Sequence, residues 1–222
     1  MNGGERLPPG NEAPRFPGFD VLSQKDHWDD ATRSVVLSRV HTLPPIRFFT
    51  PEEEAIASAL LDRLMGQDDV GPNKDLDPRR IDLVRMVDGR LAEGETDGWH
   101  YDTMPQDDQA WRDTLAGLDE DARQRYGRGF AACALEEQRE LLSAVQGWQD
   151  ERWHGMVPKQ VWSLWTRYAA TAFYSHPEAW NEIGFSGPAY PRGYKNRGVN
   201  KLEPYEVPDA RPDDDPVAER NS

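Results

Sequence analysis

The segment Thr50-Pro51-Glu52-Glu53 constrains this chain more than any other. It puts a hydroxyl at a helix N-cap, a proline at the first helical position and a glutamate at the third. Thr50 and Glu53 can then each accept the other's backbone N–H, which is a capping box. Behind it Ala55, Ile56, Ala59, Leu60 and Leu64 recur at three- and four-residue spacing, and Gly66 supplies a stop. The spacing predicts a helix over 51–65, whose apolar stripe needs a neighbour to cover it.

The same period returns down the chain. Asp77-Pro78 starts a second helix, with Ile81, Val84, Val87 and Leu91 on one face to about Ala92. Trp111, Leu115 and Leu118 suggest a third over 106–117. Asp119 can cap a fourth that runs to Tyr126 and stops at Gly127 and Gly129. A fifth covers Glu136 to Val145. The longest runs from Pro158 to Tyr174, with Val161, Leu164, Trp165, Tyr168, Ala172 and Phe173 at three and four. No hairpin signal, no alternating strand series and no repeat of solenoid length occurs. The fold expected is all-α, a compact bundle of about six helices with extended irregular N- and C-terminal arms.

The arms follow from punctuation. Residues 1–46 form an N-terminal arm carrying Pro8, Pro9, Pro14 and Pro17, in which Asp30 to Val40 makes a short strand or helix turn before Pro44-Pro45. The helical domain is expected over 47–194, closing on a Gly- and Pro-rich stretch from Ile183 to Tyr194. Residues 195–222 are an acidic, proline-rich tail, expected to be extended and solvated.

Composition decides what fills the core. Leu, Ile, Val and Phe make up only 41 of 222 residues, while 8 Trp and 7 Tyr are present, so the core must lean on aromatics. The net charge of −14 repels a nucleic-acid backbone unless a basic patch is segregated. The densest basic stretch, Arg79 to Arg90, is interleaved with Asp82 and Asp88. Nucleic acid and anionic membrane surfaces are therefore not expected partners. The longest apolar runs are far too short to span a bilayer. The start of the chain shows no basic-then-apolar signal, which predicts a cytoplasmic protein.

Motifs for chemistry are sparse. Cys133 stands alone in an apolar run and reads as a buried structural thiol. The five histidines share no metal-ligand spacing, and Asp75 and Asp77 begin like a calcium loop that Arg79 and Arg80 break. No dinucleotide, phosphate-loop or nucleophile-elbow motif is present. The chain itself is expected to hold no catalytic residue, cofactor or metal. An aromatic band from Trp148 to Trp180 reads mainly as core, with Trp165, Tyr168 and Phe173 on the apolar face.

The order of segments resembles the gluconate 2-dehydrogenase subunit 3 family. The carriers are Phe48 to Leu64, Ile81 to Asp88, Leu115 to Gly127, Phe130 to Leu142 and Phe173 to Pro188, covering roughly residues 47–194. The resemblance implies a small accessory subunit of a flavin-dependent glucose-methanol-choline-type dehydrogenase, whose large subunit holds FAD. Relatives often carry a twin-arginine signal that this sequence lacks, and Ala134 stands where they offer a capping hydroxyl.

The reading is thus a non-catalytic small subunit in a hetero-oligomer, binding and stabilising an FAD-dependent oxidoreductase acting on sugars, alcohols or glycosides. The alternatives are a stand-alone enzyme whose metal site assembles only in the fold, and a helical adaptor for a non-flavoprotein partner. The expected partner interface is the set of arm aromatics outside any periodic face: Phe16, Phe19, Trp28, Trp180, Phe185, Tyr190 and Tyr194. Folding back on the bundle is the competing fate of these rings.

Overall fold

A computed structural model describes residues 15–67, 80–99, 101–196, 198, 201–210 and 212. Among them are seven α-helices and two 3-10 helices, with no strand beyond one isolated bridge. The class is all-α. No described helix is long and apolar enough to cross a membrane. The chain divides into two compact units, residues 43–173 and residues 1–42 with 174–222.

In the unit of residues 43–173, α2 (Pro51–Leu64) starts on the expected capping box. Glu53 N–H donates to Thr50 Oγ1 at 3.2 Å, and Thr50 N–H donates to Glu53 Oε2 at 2.8 Å. A buried carboxylate sets the entry to this helix. Asp88 of α3 (Leu83–Ala92) accepts the backbone N–H groups of Arg47, Phe48 and Phe49 at 2.8, 2.9 and 2.9 Å.

The start of α3 differs from expectation. Asp77-Pro78 lies outside the described residues, and Ile81 is not helical. The Gln67 side chain donates to the Ile81 carbonyl and accepts its N–H at 2.8 Å, holding that residue out of the helix. Asp82 then caps α3 by accepting from Arg85 N–H.

The expected third and fourth helices are one, α4 (Asp107–Tyr126). Asp119 does not cap a new start. It accepts from Phe130 N–H and from its own helix neighbour Arg123, both at 2.8 Å. Gly117, mid-helix, lets the turn at His154 lie against α4, because a Cβ there would sit 2.9 Å from the His154 ring. That turn is a tight hairpin in which Trp153 and Met156 exchange both backbone hydrogen bonds. His154 and Gly155 have φ of 45° and 80°, the positive pair a type I′ turn requires.

The remaining helices of this unit are α5 (Leu135–Gln146) and α6 (Pro158–Tyr174). The core is aromatic, as the composition requires. Trp111 lies edge-on to Phe49 and to Tyr168, and Trp153 edge-on to Trp165. Trp111, Trp153, Trp165, Tyr168 and Phe130 are fully buried. Trp165 donates its indole N–H to Thr114 Oγ1 at 3.0 Å, and Tyr168 donates to Asp107 at 2.8 Å. Cys133 is buried, and desolvation pushes its thiol pKa up, away from thiolate chemistry.

The second unit is more ordered than two irregular arms. Asp30 to Val40, read as a short strand or helix turn, lies in a helix, α1 (Asp30–His41), capped by Asp29, which accepts from Thr32 N–H. A 3-10 helix covers Val21–His27, and α7 (Pro177–Ile183) follows the proline that the spacing treats only as a stop. Proline is well suited to a first helical turn, which is what its position here exploits.

Candidate partner interface

In the unit built from the chain ends, α7 is held at both termini. His176 Nδ1 accepts from Glu178 N–H at 3.2 Å at its start, and Gly184 closes it in the left-handed conformation. Burial depresses the His176 imidazole pKa to about 4, and the positive charge of Arg39 pushes the same way. Arg39 itself donates to the Ser175 carbonyl at 2.8 Å. Asn181 of α7 accepts the Val21 N–H at 2.8 Å, tying the 3-10 helix to α7.

Val21, Trp28, Val36 and Trp180 form the buried cluster of this unit, with Phe19 and Leu22 packed against it. Trp180 donates its indole N–H to the Tyr174 carbonyl at 2.7 Å and meets Phe185 edge-on at 5.3 Å. Two glycines admit the N-terminal rings. A Cβ on Gly184 would lie 2.4 Å from the Phe16 ring, and one on Gly187 would lie 2.7 Å from the Trp28 ring.

The described part of the tail is pinned rather than free. Glu203 is buried and accepts the N–H groups of Lys195 and Asn196. Arg192 lies over the Tyr205 ring at 3.8 Å and donates to Gln24 at 2.9 Å. Tyr205 donates to the Gly193 carbonyl, and Tyr194 packs against Tyr205. Ala210 N–H donates to the Arg15 carbonyl at 2.8 Å, and Asp209 pairs with the Arg15 side chain. A solvated acidic tail was the expectation. Over the described residues the three carboxylates Glu203, Glu206 and Asp209 depart from it because each finds a donor within its own unit. Residues 213–222, with the other acids of the tail, lie outside the described residues.

This packing sorts the seven aromatics singled out from the sequence. Trp28 and Trp180 are 4% and 5% exposed, which makes them core of their own unit. Phe16 and Phe19 are half-buried. Phe185, Tyr190 and Tyr194 are 39%, 65% and 58% exposed. Val35, Tyr174, Ile183 and Leu202 of the same unit are exposed too, and periodicity alone did not single them out as surface residues.

Charge separates the two units further. Residues 1–42 and 174–222 hold eleven Lys and Arg against fifteen Asp and Glu. Residues 43–173 hold fifteen against twenty-five. Exposed aromatic and branched side chains on the less acidic of the two units are the composition of a protein-binding face.

Other features carry less chemistry. Among the described residues no group of three or more His, Cys, Asp or Glu is placed to hold a metal ion. A shallow groove of about 290 Å³ between α2 and α4 is lined by ion pairs already made, Arg112 with Glu53 and Arg123 with Asp119.

The family model for gluconate 2-dehydrogenase subunit 3 matches residues 51–187. No curated protein and no solved structure matches the chain. The matched stretch opens on the capping box of α2 and ends at Gly187, the glycine against Trp28.

Proposed function

Because the chain belongs to the gluconate 2-dehydrogenase subunit 3 family, we propose that it binds and stabilises an FAD-dependent sugar or alcohol oxidoreductase as that enzyme's small subunit. The flavin and the chemistry reside in the large subunit, and the two chains form a hetero-oligomer. The observation that supports a binding role is the exposure of Phe185, Tyr190 and Tyr194 on the terminal unit. Each such ring is worth on the order of 1.5–3 kcal/mol when taken out of water. A small chain that presents several of them on its surface is suited to covering an apolar patch on a larger protein.

The test is co-expression with a flavoprotein large subunit. One species should elute with flavin absorbance and both chains in fixed ratio, and the large subunit alone should be less soluble or less flavin-loaded. Two separate peaks at micromolar concentration would refute the reading.

A further inference from the structure

The loop between α3 and α4 presents two large rings to solvent and holds them in place. Trp99 is 49% exposed and Tyr101 is 37% exposed. Their rings meet edge to face with centroids 5.2 Å apart. The Arg167 guanidinium of α6 lies 4.7 Å from the Trp99 ring centroid. Arg167 is itself paired with Asp97 of the loop at 3.1 Å and with Asp107 of α4 at 3.3 Å. Asp97 also accepts from Arg90 of α3 at 2.9 Å. Two helices, α3 and α6, therefore fix one short loop, and Asp107 of α4 holds the Arg167 that does so. Rings already ordered lose little entropy when a partner covers them, and Trp, Tyr and Arg are the side chains that dominate interface energetics.

The surroundings say what kind of partner fits. From Glu93 to Asp102 the loop carries four carboxylates and no lysine or arginine. Glu93, Glu95 and Asp97 pair with Arg47, Arg90 and Arg167 of neighbouring elements, so the exposed Asp102 carries the loop's outward charge, on a unit rich in acids. The cavity beside it, lined by Tyr101, Gln160 and Arg167 among others, is about 10 Å³, room for a water molecule and no more. That cavity admits no small organic ligand, and the two rings project from the surface beside it.

We infer that Trp99 and Tyr101 anchor this chain to a protein surface that offers an apolar pocket rimmed by lysine or arginine. The inference rests on the subunit reading above and assigns a contact with the flavoprotein to the unit of residues 43–173. Asp102 and the acidic balance of this unit steer the encounter, and the two rings supply the contact that holds.

The test uses the full chain and the flavoprotein that co-purifies with it, titrated at about 50 and about 300 mM NaCl. Trp99→Ala should weaken binding by about thirtyfold, the loss typical of an interface anchor. Asp102→Lys touches no packing and should weaken binding several-fold at low salt and much less at high salt. It keeps the test valid if Trp99→Ala unsettles the loop. Unchanged affinity in both variants overturns the inference while leaving the subunit reading intact. Saturable quenching of tryptophan fluorescence by glucose that Trp99→Ala abolishes also overturns it, since the platform would then serve a saccharide. If the unaltered chain captures no flavoprotein, the subunit reading fails and takes this inference with it.

Discussion

The Phe16 ring occupies the space a side chain at Gly184 would need, with a substituted Cβ only 2.4 Å from the ring. Gly184 also has φ of 70°, as the residue that ends α7. Two separate requirements thus fall on one glycine, one local and one set by a residue 168 positions earlier in the chain. Gly184→Ala should cost about 1 kcal/mol for the left-handed backbone and more for the displaced ring. Phe16→Ala should relieve the second cost only. In a double-mutant cycle followed by urea denaturation, the pair should destabilise by clearly less than the sum of the single changes. Strict additivity would mean that Phe16 does not pack there.

Asp88 concentrates a comparable dependence in the unit of residues 43–173. Its carboxylate is fully buried and satisfies three successive backbone N–H groups ahead of α2. Asp88→Ala would leave those donors without acceptors and should cost about 3 kcal/mol or more. Asp88→Asn keeps one carbonyl oxygen and should fall between. The measurement is the urea midpoint, read on the tryptophans of that unit.

The sequence disclosed helices where apolar period and capping coincide, and failed where a side chain reached across the fold. Thr50 and Glu53 are three residues apart, so their capping box is visible in a string of letters. Gln67 holding Ile81 out of α3 is not, because nothing local about Gln67 announces its partner. Asp119 looked like a cap and proved to be an acceptor for Phe130 eleven residues on, which is why two expected helices are one. The interface aromatics show the same limit. Tyr190 and Trp180 both lie outside any periodic face, yet one is 65% exposed and the other 5%. What separates them is Val21, Trp28 and Val36, more than 140 residues earlier in the chain, closing over Trp180.

His176 makes the terminal unit sensitive to acid. Its folded pKa is about 4 against an ordinary value of 6.5, with burial the main cause. Above pH 6.5 the imidazole is neutral in both states and contributes no pH dependence. Between 6.5 and about 4 the unfolded chain takes up a proton that the folded chain refuses, so stability falls as pH falls, by about 3 kcal/mol at most. His176→Asn retains a capping side chain and removes the titration. Its stability should vary less than that of the unaltered protein over this window. Equal slopes in the two proteins would show that His176 is not the group responsible.

The exposed and buried rings of the terminal unit should part company under substitution. Trp180 belongs to the buried cluster and donates to the Tyr174 carbonyl, so Trp180→Ala should lower stability by about 3–5 kcal/mol through lost packing. Tyr190 has no packing role of that kind and is the most exposed large ring of the chain's described residues. Tyr190→Ala should leave the melting temperature within a degree or two while weakening the flavoprotein complex by about thirtyfold, the loss typical of an interface anchor. Phe185 sits between the two cases, edge-on to Trp180 and 39% exposed, so Phe185→Ala should move both readouts, each less than the extreme variant does. Differential scanning fluorimetry of the isolated chain, paired with a titration of the co-purified flavoprotein, separates the three. A lowered melting temperature with intact affinity for Tyr190→Ala would remove the terminal face from the interface.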